Sequence, residues 1–537
     1  MIDTLPAEIV RHVASFLSQE DKVSLSYVSR TMYDLVIPKL YENLYISAYY
    51  YFPCDEPSLG TSYWSVLDFR YLEIAKTGGK IKDYDDERAA NRKLATHKFK
   101  CLVDTLSSAP MKFCPLIKRV HMTWHVDSDL LLLFVKLLNK YGSSLKSFEN
   151  FLSKDVMNFL IERQHPLESL TIAPPQVLPE ESEVTEEYFI TTRSLISHYN
   201  FDYLQNLNIP VYACTFFKKL DKPMAIRSLC LNLRPDTYNA EGPNIDGIHY
   251  YDIFDVNSLK ELEILSWYNN KHIEDVYDLW NLRDFVAFTK IEDFSMFSLR
   301  TNNNFLKECL SNYGNLKRIK LDYLDPEVLS IAFLTEIARY DCAKSLTSID
   351  INCEKKEPEP ITSTFNFEIN IMCKCEKCQE TMESVIFKKY IGPHDSRKAV
   401  DYYDRERRDF LMQIYKCFPI LPHSNLGKYP SIGFDARPLS NFVNNVNGIL
   451  HRNCNDPKYV TASDVIKLYH LHLHSYRRTF DFFIQNFKAL KFLTLNGLPT
   501  KIVEYDSKQR CNIPVFFVNG YKSNQIHEIV DDDSLFD

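Results

Sequence analysis

The stretch Leu346-Thr347-Ser348-Ile349-Asp350-Ile351-Asn352 spaces three apolar residues in a fixed way: one, then two others, one, then one other, and a third. Ile349 and Ile351 are two apart, so on a strand both face the same buried side, while Leu346 contributes at the turn leading in. The spacing recurs upstream at Ile117-Val120-Met122, Leu167-Leu170-Ile172, Leu204-Leu207-Ile209, Ile226-Leu229-Leu231, Leu259-Leu262-Ile264, Ile291-Phe294-Met296 and Leu316-Ile319-Leu321. A late copy stands at Leu490-Leu493-Leu495, and a weaker one at Leu145-Phe148. Any chain rich in Leu and Ile produces this pattern by chance. A series of copies, most followed by a helical-looking segment, is beyond chance.

Up to residue 346 the copies start at irregular intervals of roughly 22–36 residues, which brackets the period of leucine-rich repeats with insertions. The expected fold class is therefore α/β, with an irregular leucine-rich-repeat solenoid running from 111 to 352. One such unit cannot bury its apolar face alone, so stacked neighbours share a core and present a strand face. Residues between the apolar positions should line that face, among them Thr171, Asn208, Glu263, Lys320, Asp350 and Thr494. Their mixed polar character suits a protein target read by specific contacts.

Ahead of the repeats, Asp3-Thr4-Leu5-Pro6-Ala7-Glu8-Ile9-Val10 reads as a helix start, with Pro6 in the first turn and Glu8 at the positive end of the dipole. Ile9, Val10, Val13, Phe16 and Leu17 form one apolar face. Ser18 is placed to cap a second helix, and Leu25, Val28, Met32 and Leu35 carry the helical period until Pro38 ends it. The order Leu5-Pro6-x-x-Ile9-Val10, Phe16-Leu17-Ser18, Asp21, Leu25-x-x-Val28-Ser29-Arg30 resembles the F-box motif over residues 2–47. That resemblance implies a helical module at 1–47 that binds Skp1 and links a substrate receptor to a cullin–RING ubiquitin ligase. It implies docking positions at Leu5, Pro6, Ile9, Val10, Leu17, Leu25 and Val28. Some of these must also hold the module's own helices together.

Several segments interrupt the repeat. Residues 48–110 read as a linker and helical insertion, with an aromatic run (Tyr49, Tyr50, Tyr51, Phe52) and then interleaved bases and acids, the pattern of a solvated helix face. Residues 173–187 carry three prolines and five glutamates and read as an exposed acidic loop. The insertion at 353–460 contains Cys373-x-Cys375-x-x-Cys378, with Cys353 earlier and His394 later. Two residues between thiolates let both reach one ion, so Cys353, Cys373, Cys375 and Cys378 are candidate ligands of a structural zinc. Reduced thiols in a loop are the plain alternative. Residues 461–527 read as a terminal helix–strand unit, in which His470 and His474 stand one helical turn apart beside the buried stripe. An acidic tail closes the chain at 528–537.

The bulk numbers narrow the function. A formal net charge of -8 argues against a broad nucleic-acid surface. No apolar run reaches the ~20 residues of a membrane helix, so no membrane insertion is expected. Fourteen scattered cysteines without a visible secretory leader point to reduced thiols and a cytoplasmic or nuclear location. Only 13 glycines are present, and no glycine-rich phosphate loop or nucleophile elbow is found among them. The expected function is a non-catalytic adaptor that binds Skp1 and a protein substrate. The alternative is a Skp1-binding protein that acts outside the ligase, for example on a small GTPase of the Rab type.

Overall fold

The computed structural model describes residues 5–46 except 18, 65–67, 84–122, 127–151, 154–173 except 164, 182–217, 222–233, 249–266, 280–298, 303–323 and 331–353. It also describes positions 376, 380 and 384, and residues 477–495, 498–504, 510–517 and 526–528. The described chain falls into two compact units that divide between Ile291 and Glu292.

The first unit opens with three helices, α1 (Ala7–Phe16), α2 (Gln19–Ser26) and α3 (Arg30–Glu42). Sequence periodicity ran the last two together and stopped at Pro38. The structure instead breaks them at Ser29, whose side chain accepts a hydrogen bond from Met32 N at 3.2 Å and so caps α3. Helix α3 then continues through Pro38. The lost hydrogen bond costs about 3 kcal/mol in an isolated helix, and burial of Met32, Leu35 and Val36 offsets it.

Lys22 on α2 is only 2% exposed. Burial, with Lys39 nearby, lowers its ammonium to about 8, partly countered by Glu42. The unfolded chain keeps that proton up to its ordinary value near 10.5, so the penalty is full below about 8 and fades as pH rises towards 10.5. Lys22→Met should therefore stabilise the module at pH 7 by about 1–2 kcal/mol. Amide exchange in α3 should slow at pH 7, and the advantage over the parent should shrink in urea unfolding at pH 10. Equal protection of both proteins at pH 7 would remove the idea that Lys22 is a burden.

Eight parallel strands follow, hydrogen-bonded in the order β2 (Ser65–Leu67), β1 (Asn43–Ile46), β3 (Arg119–Met122), β4 (Ser147–Phe151), β5 (Ser169–Ala173), β6 (Asn206–Pro210), β7 (Ser228–Leu233) and β8 (Glu261–Ser266). Two of these were not legible as strands. Asn43–Ile46 lies inside the expected F-box, and Ser65–Leu67 inside the expected linker. The weak copy Leu145-Phe148 marks a full strand, β4. In the second unit β9 (Asp293–Ser298), β10 (Arg318–Tyr323), β11 (Ser348–Cys353) and β12 (Phe492–Leu495) are parallel. The unit closes with antiparallel β13 (Leu498–Glu504), β14 (Arg510–Phe517) and β15 (Ile526–Glu528), where the sequence suggested only one more repeat.

Every apolar triplet lies inside. The leading residues from Ile117 to Leu490 are at most 3% exposed, and so is each following pair from Val120-Met122 onward, apart from Ile319 at 5%. Full burial of each such side chain contributes about 1.5–3 kcal/mol. Between the strands run crossovers of very different length. The helix Ser128–Tyr141 is capped by the Asp127 carboxylate, which accepts from the Asp129 and Leu130 amides at 3.1 Å. It ends at Gly142, where a Cβ would sit 2.7 Å from the Leu138 carbonyl. The helix Ser182–His198 begins within the expected acidic loop. Other crossovers are single turns, such as Val211–Phe216.

One main-chain device makes these lengths irrelevant. At most of the described strand entrances one carbonyl accepts two amides from the next repeat. Lys118 O takes Lys146 N and Ser147 N, Glu168 O takes Gln205 N and Asn206 N, and Thr347 O takes Lys491 N and Phe492 N. Register is set there, so β11 pairs directly with β12 although the chain between them runs from 354 to 491.

Candidate functional site

Two surfaces place polar or apolar groups where a partner could use them. On the helical module, Val10 is 3% exposed and packs with Met32 and Leu35, with Ala7 and Leu25 partly buried against them. This corrects the sequence reading of Val10 as a docking position: its side chain belongs to the module's own core. Leu17 is half-buried. Pro6 is exposed and its carbonyl accepts from the Ile9 and Val10 amides at 3.0 and 3.1 Å, so it also shapes the start of α1. Leu5, Ile9 and Val28 stay outside, at 43%, 46% and 63%.

Three further apolar side chains are exposed and were not singled out as docking positions: Val13, Val23 and Tyr27. Val13 lies one turn beyond Ile9 on the same face of α1, a signal that helical spacing could have given. Tyr27 and Val28 follow the end of α2, held there by the break at Ser29. A small module that leaves this many large apolar side chains in water has the makings of a contact surface.

The second surface is built by strand register. The residue between the two buried positions of each strand pairs with its counterpart next door, giving the row Tyr45, His121, Glu149, Thr171, Asn208, Cys230 and Glu263 in the first unit. In the second unit the row is Ser295, Lys320, Asp350 and Thr494. The six predicted target-binding residues are all half-buried members of these rows. Thr171 and Asn208 are immediate neighbours, as are Lys320, Asp350 and Thr494, whereas Glu263 lies two strands beyond Asn208.

The first unit adds a polar network that spacing could not show. His121 Nδ1 lies 2.9 Å from Glu149 Oε2, and the Arg119 guanidinium 3.3 Å from Oε1. Ser147 donates to the same oxygen at 2.9 Å, and the Tyr45 ring stacks on His121 with centroids 4.7 Å apart. Burial pushes the Glu149 carboxyl up, but the hydrogen bond and charge of His121, with Arg119 and Ser147, outweigh it and hold the group down at about 2. Glu149 is thus a fixed negative charge at one end of the row.

Cys373, Cys375, Cys378 and His394 lie outside the described residues, as do His470 and His474. Cys353 is the last residue of β11. Among the described residues no group of three potential metal ligands is found, and no described helix is long and apolar enough to cross a membrane.

Comparison with known proteins bears on the helical module directly. A family model described as F-box-like matches residues 2–47. The chain is 35% identical to the F-box protein YDR131C of Saccharomyces cerevisiae over 561 aligned positions, covering all of both chains. It is 25% identical to the F-box protein DAS1 of the same organism over 608 positions, covering 97% of this chain and 87% of that one. The three helices with an apolar outer face are the part that the family model recognises, and the full-length likeness carries the strand-built remainder with them: the chain belongs to the F-box proteins.

Proposed function

We propose that this protein is a non-catalytic adaptor of an SCF-type ubiquitin ligase, working in the cytoplasm or nucleus. Family membership implies Skp1 binding, and the exposed Leu5, Ile9, Val13, Tyr27 and Val28 supply the face for it. The strand rows take a protein target. Its lysines then stand at high effective concentration near the charged E2 of the ligase, which performs the chemistry. The observation that carries this reading is the F-box match at 2–47 on a module whose core is complete while its outer apolar residues remain exposed.

Co-purification tests the ligase role. The tagged full chain should bring down Skp1 together with a cullin. Skp1 without a cullin would favour the reading outside the ligase, such as the holding of a Rab-type GTPase. Deleting residues 1–47 is a poor control, because it also removes β1 from the sheet.

The strand rows are tested separately. Lys320 and Asp350 are register partners on adjacent strands, so reversing one alone would set like charges side by side. The double exchange Lys320→Asp with Asp350→Lys keeps an opposite-charge pair and inverts its direction. It should weaken capture of a cross-linked target by about ten-fold or more while Skp1 recovery stays constant. Undiminished capture would move recognition away from the second unit's row.

A further inference from the structure

We propose that the strand rows read a segment of their protein target in its unphosphorylated form; this rests on the placement of target binding proposed above. Along these faces the arginines of β3 and β10 each meet a carboxylate of a neighbouring strand. Arg119 lies 3.3 Å from Glu149 and Arg318 lies 2.6 Å from Asp293. At the strand entrances the pattern repeats, with Lys118 2.7 Å from Glu42, Lys146 2.8 Å from Glu168 and Lys317 2.5 Å from Glu292. Lys320 stands in register with Asp350.

Recognition of a phosphate depends on arginine or lysine donors that no carboxylate already holds. A phosphate dianion arriving at these rows would come within a few ångström of a carboxylate wherever it found a cation. The like charge would then cancel most of the attraction. Between the charged ends of the first unit lie Ser169, Thr171, Asn206, Asn208 and Ser228, half-buried or exposed hydroxyls and amides. Each of these both donates and accepts. That inventory matches the peptide groups and uncharged polar side chains of an unmodified segment.

The probe is an array of short synthetic peptides in matched pairs, one member with serine or threonine and the other with its phosphorylated form. It is tested against the full chain bound to Skp1. Unphosphorylated members should be retained, and the phosphate should weaken retention by about ten-fold or more. Preference for the phosphorylated members overturns the proposal, and so does retention of none. Asp293→Asn removes the carboxylate charge 2.6 Å from Arg318 and should raise retention of phosphorylated members by about ten-fold, the scale of one charge-assisted contact. No gain would mean that carboxylate compensation is not what excludes phosphate, which also overturns it. Introducing Thr171→Arg with Asn208→Arg separates the two readings. If plain peptides are still retained in full, target binding lies off the first unit's row, and it is the placement in the proposed function that fails.

Discussion

Arg163→Met should lower the stability of the first unit by about 2–4 kcal/mol, although the residue touches neither candidate surface. Its guanidinium donates to three carbonyls at once: Leu138 at 3.2 Å, Gly142 at 2.7 Å and Leu145 at 3.3 Å. These belong to the last turn of the helix Ser128–Tyr141, its end, and the turn into β4, where few main-chain amides remain to meet the carbonyls. The Leu138 and Gly142 carbonyls keep one main-chain bond each, from Gly142 N and Leu145 N, which limits the loss. Burial lowers the Arg163 guanidinium to about 10, so it stays charged at neutral pH and its bonds are charge-assisted. Arg163→Lys should recover less than half of the loss, because one ammonium cannot span three carbonyls held in a fork. Urea unfolding of the full chain, with amide exchange in β4 as the local reading, decides it. An unchanged β4 would mean that the helix end needs no side-chain partner. The second unit repeats the arrangement independently. Arg510 donates to Ile484, Phe487 and Leu490 at 2.8, 3.1 and 2.6 Å, at the end of the helix Arg477–Asn486.

The other large effect belongs to Skp1 binding. Ile9→Asp combined with Val28→Asp should weaken it by about 100-fold or more, since two desolvated apolar anchors are each worth roughly 1–4 kcal/mol. Both side chains are about half exposed or more, so helicity and thermal unfolding should change little. Val10→Ala is the contrasting case. It removes atoms from the core with Met32 and Leu35, and should destabilise the module by about 1–3 kcal/mol, weakening Skp1 only as far as folding is lost. If the Ile9 and Val28 double variant retains Skp1 in full while folded, these two positions are not the docking face.

The apolar triplets were readable because burial on a sheet imposes a period of two, and each leading residue must fill the turn. Helix α1 was readable for the same kind of reason. The parts that were missed are those in which no periodicity operates. β1 is four residues with every one buried, Asn43 included, so it offers no alternation to detect. Pro38 misled because propensity is a local quantity, while α3 is held by its packing. The break at Ser29 turns on a side-chain hydrogen bond to Met32 N, and the division of Val10 from Ile9 depends on which way one helix faces. The row of candidate target residues followed from alternation alone. The His121–Glu149–Arg119 network needed strands β3 and β4 side by side, and no spacing in the chain contains that.

Glu42 ends α3 and Asn43 begins β1, with nothing between them. Glu42 Oε2 and Oε1 each lie 2.7 Å from a lysine, Lys39 and Lys118, and its carbonyl receives Lys118 N at 2.8 Å. The Tyr41 ring lies 5.0 Å from Phe113. Within the first unit the helical module therefore runs into the sheet with no linker residue between them, like a crane with a welded jib. On the adaptor reading proposed above, a target seated on that unit's row would be carried at one angle and one reach from Skp1. Which of its lysines received ubiquitin would then be a matter of where they fall along that fixed arc, rather than of a tether searching for them.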